Sequence, residues 1–165
     1  MAMSLGPGPS SRPATRAPQP HQAEETVLQT GPTGPEVTES FARNPFLEMI
    51  GLRLTLHEAD RAEFRLIVDE RHLNLSGRLH GGVIATMLDV CCGYAGLEPS
   101  VAGVSRGGLT LSLAVNYLSG IASGEVVAGG RVTGGGAGIY FAAGEVRSAE
   151  GALLATAQGS FKRLK

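Results

Sequence analysis

One segment of this chain is apolar over a length that only a helix accommodates. The apolar character begins at Gly82, runs through residues 83–95 and ends near Gly96 and Pro99, a length of about 14 residues. Strands seldom exceed about 8 residues, so the length predicts a helix, and hydrophobicity on all sides predicts a buried one. Asp89 is the only acidic or basic residue in it.

The segments on either side of this helix are strand-like, and two of them, 52–57 and 109–118, alternate apolar and polar residues as strands with one buried face do. Two strand-like segments precede the helix and four follow it: 52–57, 62–68, 109–118, 124–133, 138–148 and 152–163. A short N-terminal helix over 38–50, interrupted by Pro45, and a loop over 69–79 complete the order. Successive hairpins favour an antiparallel sheet. We therefore expect an α+β fold in which five to six strands wrap around one long central helix.

Composition divides the chain near residue 38. Seven of the nine prolines lie in the first 35 residues, whereas all eight aromatic residues lie after residue 40. A Pro-rich segment without aromatic residues buries too little surface to offset the entropy lost on ordering. We predict a disordered Pro-rich tail over 1–38 and one folded domain over 39–165. A transit peptide is the alternative interpretation of the tail.

Charge and cysteine content argue against several classes of protein. The net charge is −1, whereas a nucleic-acid-binding protein is expected to carry a basic excess. No apolar run approaches the roughly 20 residues that cross a bilayer, so we expect no membrane partner. Cys91 and Cys92 are adjacent and lack metal-ligand spacing. They are predicted to be reduced, buried and part of a cytoplasmic protein without a metal site.

Residues 72–89 contain a pattern of polar residues and glycines whose spacing is typical of a functional site. In chain order its members are Asn74, Gly77, His80, Gly81, Gly82 and Asp89. This pattern resembles the hotdog-fold acyl-CoA thioesterases, in particular the phenylacetyl-CoA thioesterase-like branch of the 4-hydroxybenzoyl-CoA thioesterase superfamily. Segments 44–51, 109–118 and 151–155 also resemble that family, so the resemblance covers about residues 39–163. It implies the hotdog fold.

The residue types support a thioester-cleaving site independently of the resemblance. Hydrolysis requires a polarised carbonyl group and a water or carboxylate aimed at its carbon. Gly81 and Gly82, at the start of the helix, are expected to present unpaired N–H groups and to allow close approach. A tight turn into the helix is the alternative explanation for the two glycines. Asp89 is costly in a buried helix unless it is functional or satisfied by a nearby hydroxyl or backbone group.

The spacing along the helix also predicts a second subunit. Asp89 lies seven residues beyond Gly82, which is roughly 10 Å along a helix axis. That separation is too large for both groups to act on one carbonyl. We therefore expect Asp89 to meet the glycine N–H of a partner across a two-fold axis, in a homodimer. The resemblance implies the same shared site and, commonly, a dimer of dimers.

The resemblance implies supporting roles for three further residues. It implies that Asn74 positions the thioester or the water, that His80 orders the loop before the helix, and that Thr110 orients the attacking water. The residues alone leave other roles open. Asn74 could be a plain turn residue, His80 a capping residue or a direct catalyst, and Thr110 an ordinary strand residue.

A Gly-rich run over 129–138 is predicted to be a β-turn or bulge between two strands rather than a phosphate loop, because it lacks the Gly-Lys-Ser/Thr ending and no helix follows it. In the resembling enzymes this hairpin borders the groove for coenzyme A. The resemblance therefore implies that Gly136, Ala137 and Gly138 lie beside the substrate. Arg106 and Arg131 are the candidates for its nucleotide end.

Together these features predict an acyl-CoA thioesterase that releases a carboxylic acid and free coenzyme A. No metal or redox cofactor is expected, since coenzyme A is part of the substrate. The first alternative is a hotdog hydratase or dehydratase acting on enoyl thioesters, whose His-containing loop and Asp/His pair the sequence lacks. The second is a non-catalytic acyl-CoA-binding protein, against which Asn74 and Asp89 argue. Aromatic and medium-chain acyl groups both remain open as substrates.

Overall fold

The computed structural model describes residues 44–99 and 107–164. Its elements, in chain order, are α1 Pro45–Ile50, β1 Arg53–Glu58, β2 Arg61–Val68, a 3-10 turn Glu70–His72, α2 Gly81–Ala95, β3 Gly108–Tyr117, β4 Gly124–Gly135, β5 Ile139–Ser148 and β6 Leu153–Arg163. The predicted order of six strands and a long helix is confirmed. The predicted tail over 1–38 lies outside the described residues. Within the two described ranges, no helix is both long and apolar enough to cross a membrane.

The short helix α1 begins at Pro45, so the prediction that Pro45 interrupts a helix over 38–50 is wrong. Asn44 is in an extended conformation and caps the helix, accepting a hydrogen bond from the N–H of Leu47 at 3.3 Å. Proline suits the first helical position because its fixed φ is helical and its missing N–H has no partner there. The part of the predicted helix before Asn44 lies outside the described residues.

The six strands form one antiparallel sheet in the order β1-β2-β4-β5-β6-β3. Helix α2 packs against one face of this sheet and contacts all six strands. Its buried side chains are Ile84, Met87, Leu88, Cys91, Cys92 and Ala95. The burial of Cys91 and Cys92 as free thiols confirms their predicted structural role.

The helix lies unusually close to the sheet because glycine occupies the contact. Gly130 on β4 and Gly144 on β5 are opposite each other in the ladder, directly beneath the adjacent residues Cys91 and Cys92. A Cβ on Gly130 would stand 2.3 Å from the Cys91 carbonyl oxygen, and one on Gly144 would stand 2.7 Å from Cys92 Sγ. The main chain of β4 therefore contacts the main chain of α2 at Gly130, and the main chain of β5 contacts the two cysteine sulfurs at Gly144.

Strand β3 contains a bulge that changes which of its side chains face the helix. The pairing register with β6 skips Leu111, so this residue is extra in the ladder. Thr110 consequently faces α2 together with Leu113 and Tyr117, although Thr110 and Tyr117 would face opposite sides of a regular strand.

The outer edge of β3 has no neighbouring strand among the described residues. Alternation predicted one buried face, but large side chains are exposed on this strand, with Leu109 and Leu111 each 52% exposed and Tyr117 54% exposed. The difference arises because β3 is an edge strand in the single chain. An unpaired edge with exposed apolar side chains is a template for pairing with another strand.

Candidate active site

The N-terminus of α2 is capped by His80. This residue is extended, with φ −65° and ψ 135°, and its Nδ1 accepts a hydrogen bond from the Gly82 N–H at 2.8 Å. The expectation that the Gly81 and Gly82 N–H groups are both unpaired is therefore wrong for Gly82. His80 performs the capping role that the sequence left open.

The N–H of Gly81, unlike that of Gly82, has no hydrogen-bond acceptor among the described residues. The carbonyl oxygen of His80 is occupied by the N–H groups of Val83 and Ile84, at 3.0 and 3.2 Å. The Gly81 N–H lies at the positive end of the helix dipole and can receive an oxygen atom from a ligand.

Asp89 and Thr110 form the second half of the site. The Thr110 hydroxyl donates a hydrogen bond to Asp89 Oδ1 at 2.7 Å. Asp89 is half-buried, so the expectation of a fully buried acid is wrong: its side of α2 is turned toward the open β3 edge. The contact satisfies the carboxylate through a nearby hydroxyl and also unites two residues that the resemblance assigned to one site.

The two halves lie at opposite ends of one strand. Gly81 and Asp89 are eight residues apart on α2, which corresponds to about 12 Å along the axis. Tyr117, at the end of β3, donates a hydrogen bond from its hydroxyl to the Gly81 carbonyl oxygen at 3.1 Å. Thr110, near the start of the same strand, contacts Asp89. Within one chain, the carboxylate and the open N–H are too far apart to meet one carbonyl group.

Tyr117 is the site residue that the sequence did not indicate. Regular alternation along β3 would place it on the face opposite Thr110, and nothing in the sequence marks the bulge at Leu111. Its aromatic character at the end of an alternating strand was the one signal. That signal is equally typical of an ordinary core residue.

Asn74 organises the turn that precedes α2. Its side-chain oxygen accepts hydrogen bonds from the N–H groups of Ser76, at 2.9 Å, and Arg78, at 3.2 Å. This is the turn role that the sequence left open. The structure also brings Asn74 and His80 together, since both line a shallow open depression with Leu73, Leu75 and Ser76.

The predicted substrate-binding residues lie elsewhere. Gly136, Ala137 and Gly138 form an exposed turn between β4 and β5, as expected for a β-turn. Arg163 joins this turn to the C-terminal end of α2, because its guanidinium donates to the carbonyl oxygens of Gly136 and Gly96, both at 2.7 Å. The turn is therefore near the end of α2 that is remote from Gly81.

The arginine candidate that the structure describes, Arg131, does not join the other site residues. Arg131 is exposed on β4, next to Gly130, whose missing side chain faces α2. Its own side chain therefore points to the face of the sheet away from the helix. Arg106 lies outside the described residues.

The thiols are unsuited to nucleophilic chemistry. Burial raises the pKa of Cys91 well above its ordinary value, and the neighbouring Cys92 adds to the effect. A thiol held in this way stays protonated and inaccessible. The carboxylate of Asp89 is therefore the stronger nucleophile or base candidate in α2.

Comparison with known proteins relates this chain to thioesterases and esterases. The model of the Thioesterase superfamily matches residues 76–155, which contain Gly81, Asp89 and Thr110. "Putative esterase PA0474" from Pseudomonas aeruginosa is 38% identical over 56 residues, a stretch equal to 33% of this chain and 42% of that protein. The match thus spans less than half of that relative.

Solved structures extend the likeness to the whole described domain. The conserved protein PA5202 from Pseudomonas aeruginosa has 29% identity and a TM-score of 0.64, over 74% of this chain and 95% of that one. A mutant of the phenylacetic acid degradation protein PaaI from Thermus thermophilus has 27% identity and a TM-score of 0.63, over 73% of this chain and 100% of that one. The fold is similar to theirs over nearly their full length.

Proposed function

We propose that this chain, which is similar to the PaaI-like hotdog proteins of the thioesterase superfamily, hydrolyses acyl-CoA thioesters to a carboxylic acid and free coenzyme A. The superfamily and the esterase relative support a hydrolase. One observation carries the finer proposal: α2 holds an open Gly81 N–H at its start and the hydroxyl-bound carboxylate of Asp89 eight residues later.

The Gly81 N–H would bind the thioester carbonyl oxygen. As water attacks, this oxygen gains negative charge, which a backbone donor at a helix N-terminus stabilises more strongly than the neutral carbonyl. Loss of one such donor typically lowers kcat by about 10²–10³-fold. Glycine suits the position because its lack of a side chain leaves the N–H accessible to a substrate.

Asp89 would supply the base or the nucleophile. As a base, the carboxylate takes a proton from a water molecule whose oxygen bonds to the carbonyl carbon. The carbon–sulfur bond then breaks, and the proton passes to the leaving thiolate of coenzyme A. As a nucleophile, Asp89 bonds to the carbonyl carbon and displaces the coenzyme A thiolate, which takes up a proton, and water then hydrolyses the resulting anhydride to the carboxylic acid and free Asp89. In both routes the Thr110 hydroxyl orients the carboxylate oxygen that it contacts at 2.7 Å.

A homodimer would bring the two halves of the site together. The free edge of β3 carries Thr110 beside Asp89 and Tyr117 beside Gly81. If two β3 strands pair antiparallel with Thr110 opposite the partner's Tyr117, the two-fold axis passes at Ala114, the midpoint of that ladder when the extra residue Leu111 is left out. Each Asp89 then approaches the partner's Gly81, and the open edge and its apolar side chains become covered. A dimer of dimers is part of the same proposal.

The remainder of the substrate would extend toward the turn over 136–138. Arg163 fixes that turn to the end of α2 nearer Asp89. Its glycines leave room for the pantetheine chain, and Arg106 and Arg131 are proposed for the nucleotide end. The acyl group is proposed to be aromatic or of medium length. We propose no metal or redox cofactor, no nucleic-acid or membrane partner, and a cytoplasmic location.

A thiol-release assay with phenylacetyl-CoA, hydroxybenzoyl-CoA and straight-chain acyl-CoAs tests the function. Asp89→Asn removes the charge while keeping the shape, and we expect kcat to fall by at least about 10²-fold. Glu58→Gln makes the same chemical change on the remote strand β1 and is expected to leave kcat unaltered. An unaffected kcat in Asp89→Asn would overturn the assignment. A single turnover in ¹⁸O-labelled water then separates the base from the nucleophile.

A further inference from the structure

Tyr117 contacts Gly81 through both its ring and its hydroxyl. Its Cε1, Cζ and Oη atoms lie 3.4, 3.5 and 3.7 Å from the position that a Cβ on Gly81 would occupy. The hydroxyl donates to the Gly81 carbonyl oxygen at 3.1 Å. Yet the side chain is 54% exposed, so burial in the core does not account for its placement.

The contact completes the fixation of one peptide group. The peptide between Gly81 and Gly82 has two polar ends, a carbonyl oxygen and an N–H. Tyr117 from β3 holds the oxygen, and His80 Nδ1 from the preceding loop accepts from the N–H at 2.8 Å. Two side chains from different elements therefore hold the same peptide from both sides, and we call this arrangement the peptide clamp.

The peptide clamp acts on the residue that offers the open donor. The preceding peptide, between His80 and Gly81, is held only through its carbonyl oxygen, which accepts from Val83 and Ile84. Its N–H, that of Gly81, is the one polar group of the two peptides left for a ligand among the described residues. A glycine at a helix end is otherwise free to change its backbone angles.

We propose that Tyr117 is a positioning residue that fixes the direction of the Gly81 N–H through the peptide clamp. The inference rests on the proposed thioesterase function, in which this N–H receives the carbonyl oxygen. Small errors in direction weaken a charge-stabilising hydrogen bond steeply, because its strength depends on alignment. The ring limits the movement of the Gly81 α-carbon, and the hydroxyl sets the rotation of the peptide.

The hydroxyl distinguishes this role from simple packing. If Tyr117 only packed against the start of α2, its ring would be sufficient and the hydroxyl would have no role. Tyr117→Phe keeps the ring and removes the hydroxyl. Ser112→Ala is the matched control, because it removes a hydroxyl from the same strand on the face away from α2.

In steady-state thiol release, Tyr117→Phe is expected to lower kcat about 3- to 10-fold, the loss that corresponds to one neutral hydrogen bond. We expect KM to change less than about two-fold, since alignment matters most in the transition state. The pH profile and the dimer size should match those of the wild type. A kcat equal to that of wild type, or a fall matched by Ser112→Ala, would overturn the role.

Amide hydrogen exchange of Gly82 gives a second measurement that needs no substrate. Without the hydroxyl, the Gly81 carbonyl oxygen keeps only its ordinary hydrogen bond within α2, so we expect the Gly82 N–H to exchange at least about 3-fold faster in Tyr117→Phe and unchanged in Ser112→Ala. An unchanged Gly82 rate would refute the clamp even if the wild type proved to hydrolyse no acyl-CoA. Faster exchange in an inactive protein would instead keep the clamp and refute the thioesterase function.

Discussion

A mixed dimer of two inactive variants should regain activity if the site is shared between chains. Gly81 and Asp89 are eight residues apart on one helix, or about 12 Å along its axis, whereas two groups acting on one carbonyl must both lie within hydrogen-bonding reach of it. The first variant is Asp89→Ala. The second is Gly81→Pro, which deletes the proposed N–H donor and changes little else.

The structure explains why proline is tolerated at position 81. Gly81 is the first residue of α2, where proline is favoured, and His80 has the extended conformation that a following proline requires. A Cβ at this position makes an ordinary 3.4 Å contact with the Tyr117 ring. Gly81→Ala has the same Cβ but retains the N–H, so it is the control for the added atoms.

Each variant alone should lose about 10²-fold or more of kcat. Co-expression with two different affinity tags, followed by tandem purification, isolates the heterodimer. One of its two sites combines an intact Asp89 with an intact Gly81 of the partner, so we expect about half of the wild-type activity per dimer. In a site contained within one chain, both sites of the heterodimer would be defective. Heterodimer activity no higher than that of the parents would refute the shared site.

Two predictions concern stability. Gly130→Ala should lower the free energy of unfolding by about 3 kcal/mol, because the new Cβ would overlap the Cys91 carbonyl oxygen, and Gly134→Ala on the same strand, with open space around it, is the control in urea titrations. Burial raises the pKa of Tyr140 to about 12, against a partly offsetting effect of the Arg163 charge. Because an unfolded tyrosine ionises near pH 10, the stabilisation is complete below about pH 10 and lost as the pH rises through about 12. Urea midpoints of Tyr140→Phe should decline less steeply than those of wild type over that range, and an identical decline would contradict the assignment.

The elements were predictable because their signals are local. Alternation over 109–118 and continuous apolarity over 83–95 each follow from the period of one backbone conformation. The burial of individual side chains in the folded chain was harder to predict from the sequence. Asp89 is half-buried because α2 turns one side toward an edge strand, and a single-chain pattern does not indicate which strand is at the edge.

The chemical details of the site depended on individual contacts. His80 is outside the usual set of Ser, Thr, Asp and Asn caps, so the sequence left capping as one of several roles, and the structure decides it through the bond to the Gly82 N–H. Tyr117 and Thr110 share a face only because Leu111 is an extra residue in the ladder. A bulge depends on the partner strand as well as on its own sequence, and this explains why Tyr117 was missed.

The glycine pair beneath α2 affects how precisely the helix is held. Side chains at an ordinary helix–sheet contact can exchange rotamers, and each exchange lets the helix move by a fraction of an ångström. At Gly130 and Gly144 the sheet presents main chain, which has no rotamers to exchange. The distance between α2 and β4 is therefore set at Gly130 by main chain on both sides, and the helix that carries Gly81 and Asp89 has little freedom to move there through rotamer changes.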